Sequence, residues 1–284
     1  MYDYNKAYRS LEPGTSALDG ILQSARRAFA PGIGTGFMNL DGAVRMSPGR
    51  LVVLGARPGT GKTTLATQIA IQVLKENKHG RVFYCSVEMD AAEIGLKALS
   101  CLAKKNCITP YEEEDEKGIA HVETLVAMEQ NTLSRLQVYY GMELEAILEG
   151  CERMSGNKDD PLLLVVVDFI TSVQPIGEYA TKSEAVGSVS KALKAMAKRL
   201  EIPVLCCAQL NRGTATGKPP TMKDLRDSGE IEQDADSVLL LHRPTEKEGQ
   251  MAGRVDIIID KNRFGTMDSI TLWPQLHNHR FEEG

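Results

Sequence analysis

The chain lacks the features that would place it outside the cell, in a membrane or around a structural metal. Its six cysteines (Cys85, Cys101, Cys107, Cys151, Cys206 and Cys207) include no C-x-x-C pair. That scatter supplies neither a zinc site nor a disulfide framework and fits a reducing cytosol. Cys206 and Cys207 stand side by side in an apolar run and are expected to be small core residues. No apolar stretch approaches the roughly 20 residues of a membrane span. Met1-Tyr-Asp-Tyr-Asn-Lys6 has neither the charged nor the apolar region of a secretion signal, so a soluble, cytoplasmic protein with no membrane partner is expected. There is no internal repeat and no low-complexity segment. A basic excess is also missing: the formal net charge is -5, which gives no global field for nucleic acid.

What is present suits one large α/β domain with a short extension. The 284 residues are 42% hydrophobic and 25% charged, ordinary values for a globular chain. The most informative stretch is Leu51-Val-Val-Leu-Gly-Ala-Arg-Pro-Gly-Thr-Gly-Lys-Thr-Thr64. An apolar strand ends in a glycine-rich turn, and a helical pattern then runs through Leu65, Ile69, Ala70 and Val73. A nucleoside triphosphate needs this order. The strand anchors the loop, the glycines let backbone N–H groups close around the phosphates, and Arg57, Pro58, Gly59, Thr60, Gly61, Lys62, Thr63 and Thr64 form the candidate cradle. Lys62 reaches the β- and γ-phosphates, and the Thr63 hydroxyl takes Mg²⁺. Ala56 stands where the consensus opens with glycine, a mild departure. ATP and Mg²⁺ are the expected cofactors.

Further along, apolar strands alternate with helices. Strands are expected at Arg81–Val87, Leu162–Val167, Val204–Ala208, Ser237–Leu241, Val255–Ile259 and near Ile270–Trp273. A helix is expected over Ser183–Leu200, and residues 90–155 read as a helical, partly acidic region in which Tyr111–Lys117 is a solvated loop. Fully apolar strands joined by helices indicate a parallel sheet covered on both faces. At the amino end, residues 1–14 read as a mobile lead-in. Thr15 or Ser16 then caps a helix that carries Leu18, Ile21, Leu22, Ala25, Ala28 and Phe29 on one face and stops at Pro31-Gly32. That stripe docks either on its own domain or on a neighbouring subunit.

Ligands of open parallel sheets bind at the carboxyl ends of strands. Asp168 ends the run Leu-Leu-Leu-Val-Val-Val and is placed to hold the Mg²⁺ water shell opposite Thr63. Glu88 follows Val-Phe-Tyr-Cys-Ser-Val as a candidate general base, although a strand-end glutamate is by default a surface residue. On pattern alone Gln209 is equally a γ-phosphate sensor or a solvated loop residue.

Six ordered motifs together resemble those of DnaB-type replicative helicases. They are Gly55-Ala-Arg-Pro-Gly-Thr-Gly-Lys-Thr63, Phe83-Tyr-Cys-Ser-Val-Glu-Met89, Val165-Val-Val-Asp-Phe-Ile170, Ala208-Gln-Leu-Asn-Arg212, Asp224-Leu-Arg-Asp-Ser-Gly-Glu-Ile-Glu-Gln-Asp-Ala-Asp236 and Lys261-Asn-Arg-Phe-Gly265. Gly32-Ile-Gly-Thr-Gly-Phe-Met-Asn-Leu-Asp41 resembles the entry to that family's motor domain, and the likeness runs from about Leu18 to Phe281. It implies a RecA-like P-loop ATPase fold, a central mostly parallel sheet flanked by helices, with residues 1–31 as lead-in and linker helix and 32–284 as the motor domain. It implies that Glu88 is the catalytic glutamate, Asp168 the Mg²⁺-side aspartate and Gln209 the coupling residue. Lys261 and Arg263 match the basic pair that a neighbouring subunit sets against the γ-phosphate. Arg226, Asp227 and Gly229 match the loop that grips single-stranded DNA, a contact that needs no sequence readout and tolerates an acidic chain.

The implied activity is ATP-dependent translocation on single-stranded DNA, 5′ to 3′, and duplex unwinding during replication by a homo-oligomeric, hexameric ring. Single-stranded DNA is the implied partner, with a helicase loader or primase as further ones. The family's amino-terminal collar domain has no room in 284 residues, and Met267-Asp268 departs from the usual glycine-rich turn after the basic pair. The rival expectation is a RecA-like ATPase that works as a DNA- or protein-bound nucleotide switch without unwinding.

Overall fold

Every residue of Leu51–Ala56 is buried, and the sheet is built outward from this strand. The structure, a computed structural model, describes residues 32–211, 218–225, 229–244 and 253–284. In chain order its elements are α1 (Met38–Ala43), β1 (Leu51–Ala56), α2 (Lys62–Glu76), β2 (Arg81–Ser86), α3 (Ala91–Ala103), α4 (Thr109–Glu112), α5 (Glu116–Met128), α6 (Gln130–Leu133), β3 (Leu136–Tyr140), α7 (Leu144–Ser155), β4 (Leu162–Asp168), α8 (Lys182–Leu200), β5 (Val204–Gln209), α9 (Gly229–Asp234), β6 (Ser237–His242), β7 (Val255–Asn262), β8 (Ser269–Gln275) and β9 (Arg280–Glu283).

The described strands form one sheet in the order β3-β2-β4-β5-β1-β6-β7-β8-β9. From β3 to β6 neighbouring strands are parallel, and β7, β8 and β9 extend the sheet antiparallel. The expected strands are all present. Alternate residues of β1 serve opposite faces, as the strand period of two requires. Val52, Leu54 and Ala56 join one core with Leu65 and Ile69 of α2, while Leu51 and Val53 join the other with Val189, Leu193 and Met196 of α8. Cys206 and Cys207 are fully buried, one in each core.

Two expectations need correction. The region 90–155 contains a strand, β3, paired parallel to β2 at the sheet edge. The charge run Tyr111–Lys117 is exposed throughout, as expected, but its ends belong to α4 and α5. Among the described residues no helix is long and apolar enough to cross a membrane. The expected helix over residues 16–30 lies outside the described residues.

Candidate functional site

The turn between β1 and α2 winds through two glycines with positive φ, Gly59 at 76° and Gly61 at 102°. A side chain at Gly61 would meet more than a backbone penalty, since its Cβ would lie 2.6 Å from Phe281 Cζ. Gly61 caps α2, and Lys62 is the first helical residue, so unpaired amides and the positive end of the helix face the turn. Above them opens a cavity of about 990 Å³ lined by Arg57, Pro58, Gly59, Gly61, Lys62, Thr63 and Thr64 together with Glu88 and Gln209. Thr60 does not line it. Its side chain is buried in the turn, and its amide donates to the Arg57 carbonyl at 3.3 Å.

Asp168 does not itself line this cavity and meets it through Lys62, which does. Lys62 Nζ lies 3.5 Å from Asp168 Oδ1, with both side chains nearly buried at 12% and 7% exposure. The ammonium also sits 4.4 Å from the centre of the Phe169 ring. On its far side Asp168 is oriented by a buried relay: Thr67 Oγ1 donates to Tyr84 Oη at 3.4 Å, and Tyr84 Oη donates to Asp168 Oδ2 at 3.3 Å. Burial and the Asp168 charge push the Tyr84 phenol well above its usual range, so it stays a proton donor to the carboxylate. Oδ1 has no hydrogen-bond donor despite its burial, because the contact with Lys62 is an ion pair at longer range. A buried carboxylate oxygen fixed in this way beside an ammonium fits a hydrated divalent cation.

Glu88 is held at the rim by the geometry after β2. Ser86 Oγ accepts from the Met89 amide at 3.1 Å, and the Val87 amide donates to the Asp168 carbonyl at 3.0 Å. Asp90 then caps α3 in a reciprocal box with Glu93. The exposed Glu88 carboxylate between these anchors reaches the cavity and solvent water together. Gln209 ends β5 in register with Ala56, so it flanks the phosphate turn directly. The next residues tie it to the segment before Arg226: Leu210 pairs with Leu225, and the Asn211 amide donates to the Asp224 carbonyl at 2.7 Å.

Lys261 and Arg263 lie elsewhere. Lys261 is in register with Val238 of β6, which is in register with Val53 of β1. It therefore sits ~10 Å back along the strand direction from Ala56 and ~10 Å across two strands. Its ammonium donates to the Glu232 carbonyl, and Arg263 Nη2 donates to the Gln233 carbonyl at 2.7 Å. Burial and the neighbouring Arg263 lower the Lys261 pKa. Neither side chain lines the cavity of its own chain. Gly229 is the first residue of α9, with open space where a Cβ would be. Arg226 and Asp227 lie outside the described residues.

Three further lining residues come from outside the motifs: Lys97, Leu276 and His279. Leu276 and His279 come from the turn between β8 and β9, and Lys97 Nζ lies 3.5 Å from His279 Nδ1. Burial, with Lys97 adding to it, holds the imidazole down to about 4, which leaves the ring neutral. Only the fold brings this carboxyl-terminal turn over a loop more than 200 residues earlier in the chain.

The glycine turn thus stands on a central strand, Asp168 two strands away and Glu88 on the strand beyond. Among solved structures, one described as an ATPase domain superposes with a TM-score of 0.82, at 22% identity over 96% of this chain and 99% of that one. A DnaB-like replicative helicase described with its interactions with primase gives 0.79 at 21% identity, over 95% and 67%. At these identities the likeness establishes the RecA-like fold. In sequence, the replicative DNA helicase DnaB of Leifsonia xyli subsp. xyli (strain CTCB07) is 31% identical over 283 residues, 96% of this chain and 60% of that protein. The replicative DNA helicase DnaC of Bacillus subtilis (strain 168) is 30% identical over 263 residues, 87% and 55%. The chain thus spans a little over half the length of these relatives. The model of the DnaB-like helicase C terminal domain matches residues 32–283, so every described element lies within it and the chain belongs to that family.

Proposed function

We propose that this chain is the motor of an ATP-dependent DNA helicase that works as a hexameric ring on single-stranded DNA, with residues 32–284 as motor and 1–31 as lead-in and linker helix. The observation that carries the reading is the separation of Lys261 and Arg263 from the cavity of their own chain. A pocket whose carboxylate-paired cation is Lys62, and a basic pair two strands away and set back from the phosphate turn, become a complete site where two copies meet. A cation supplied by a neighbour stabilises transition-state charge and makes hydrolysis depend on assembly.

Within one pocket Lys62 neutralises the β- and γ-phosphates, the amides of Gly59–Thr63 orient them, and Glu88 polarises the attacking water. The Thr63 hydroxyl and the Asp168 carboxylate would hold Mg²⁺, which when bound supplies further positive charge against the phosphates. Gln209 borders the turn and is followed by the Leu210–Leu225 bridge, so a change at the phosphates can reach the segment that starts at Arg226. Arg226, Asp227 and Gly229 would hold the single-stranded DNA backbone. A primase or helicase loader is a further partner on this reading, since one similar structure is described with primase.

The test is ATP turnover with and without single-stranded DNA, together with opening of a forked duplex. DNA should raise turnover, and the fork should open. Glu88→Gln should still bind nucleotide while losing both activities, and Lys62→Ala should lose binding or turnover. Stimulation by DNA without fork opening would favour the nucleotide switch. Wild-type turnover by Glu88→Gln would remove Glu88 as the base.

A further inference from the structure

The two cations offered to a neighbour are not free-standing side chains. Lys261 donates to the carbonyl of Glu232 and Arg263 to the carbonyl of Gln233, both in α9. The Arg263 backbone is tied to the residue just before β6, with its amide donating to the Asp236 carbonyl at 2.9 Å. Asp236 also places its carboxylate beside the guanidinium, with Oδ1 3.8 Å from Arg263 Nη1. That carboxylate is 5% exposed and cannot swing, because Oδ2 accepts from the Leu51 amide at 2.8 Å and pairs with Lys194. Lys194 is fixed in turn by the Gly49 carbonyl at 2.9 Å. Arg263 itself is nearly half exposed, so one side of its guanidinium is held and the other is presented outward.

We propose that Asp236 is a positioning residue that acts across the subunit boundary: from its buried bracket of Leu51 and Lys194 it aims Arg263 at the phosphates bound by the neighbouring copy. The inference rests on the reading of Arg263 as a cation supplied in trans. An anion fixed behind a guanidinium restricts its direction without quenching its charge, and misplacement by about 1 Å can cost roughly 100-fold in rate. The competing role is local. Leu51 opens the strand that ends at the phosphate turn, so Asp236 would then serve the pocket of its own subunit.

Mixed assemblies separate the two. Asp236→Asn should lower turnover roughly 10- to 100-fold while isolated subunits keep wild-type affinity for a fluorescent ATP analogue. Mixed with Lys62→Ala subunits, whose pocket is dead but whose Arg263 bracket is intact, Asp236→Asn should recover activity. Mixed with Arg263→Ala it should not, because both then lack an aimed cation. Where Asp236→Asn fails to fold, Lys194→Met/Asp236→Asn removes both buried charges together and is put through the same mixtures. Recovery with Arg263→Ala, with mixing verified by mass, or undiminished turnover by Asp236→Asn alone, would overturn the proposal and leave Arg263 untouched. The control is Arg263→Ala with Lys62→Ala. Failure of that mixture to recover would overturn the trans reading of Arg263, and this inference with it.

Discussion

Lys97 and His279 form a contact at the candidate site that ties the stability of the fold to protons. The imidazole is held near 4 by burial and by the Lys97 ammonium 3.5 Å away, against about 6.5 in an unfolded chain. Between these values the unfolded chain carries a proton that the folded one does not, so stability falls as pH drops from about 6.5 to about 4. Above that window neither state is protonated, and below it both are. His279→Asn should therefore flatten the apo protein's stability between pH 6.5 and 4 and leave it unchanged at pH 8. Asparagine suits the site because His279 has a left-handed φ of 49°. Thermal melts of both proteins across this range decide the matter, and parallel curves would dismiss His279 as the titrating group. The same scale marks the reach of sequence reading. Lys62 and Thr63 were legible from the glycine turn between an apolar strand and a helix, and Asp168 from the apolar run that it ends, whereas Glu88 and Gln209 drew their candidate roles from the family resemblance. Lys97 and His279 were not legible, since a lysine inside an amphipathic helix and a histidine in a turn look like any solvated residue until the fold brings them over the cavity.

At the scale of elements, the carboxyl-terminal hairpin of β8 and β9 is part of the candidate site rather than an appendage. Phe281 is 1% exposed and covers Gly61, and Gln68 of α2 clasps the Phe281 backbone, accepting from its amide at 2.6 Å and donating to its carbonyl at 2.9 Å. Phe281→Ala should lower stability by about 3–5 kcal/mol through the cavity it leaves. It should also weaken ATP binding, because the turn around Gly61 loses its cover. Lower stability with unchanged ATP affinity would show that the hairpin supports the core alone. The parallel strands were readable as continuous apolar runs. Strand β9 was missed because Arg280-Phe-Glu-Glu283 holds one buried apolar side chain, and its pairing with β8 makes it a strand. Edge strand β3 escaped notice within an acidic helical region for a similar reason. Leu136-Gln-Val-Tyr-Tyr140 is short and half exposed, and its parallel partner β2 lies more than 50 residues earlier in the chain.

For the whole molecule, the proposed function asks a chain of net charge -5 to hold an anionic polymer. A uniform field is not needed where the contacts are few and local and are repeated by each subunit of a ring. Arg226, which lies outside the described residues, follows directly on Leu225, and Leu225 is bridged to Leu210 beside Gln209. In the described residues on either side, Leu225 is thus tied to the strand end at Gln209, and α9 supplies the carbonyls that hold Lys261 and Arg263. If Arg226 contacts a phosphate, Arg226→Ala should weaken binding about equally for every single-stranded sequence. The plot of log affinity against log salt should become shallower by about 0.7, the single-strand value for one contact. Turnover without DNA should survive, because the phosphate turn and its carboxylate are untouched, while stimulation by DNA and fork opening fall together. An ion pair between Arg226 and Asp227 that merely shapes the loop predicts lower thermal stability with an unchanged slope. Affinities measured at several salt concentrations on a thermally intact variant distinguish the two. An unchanged slope with unchanged affinity would take this loop off the DNA path and return the chain to the nucleotide-switch reading.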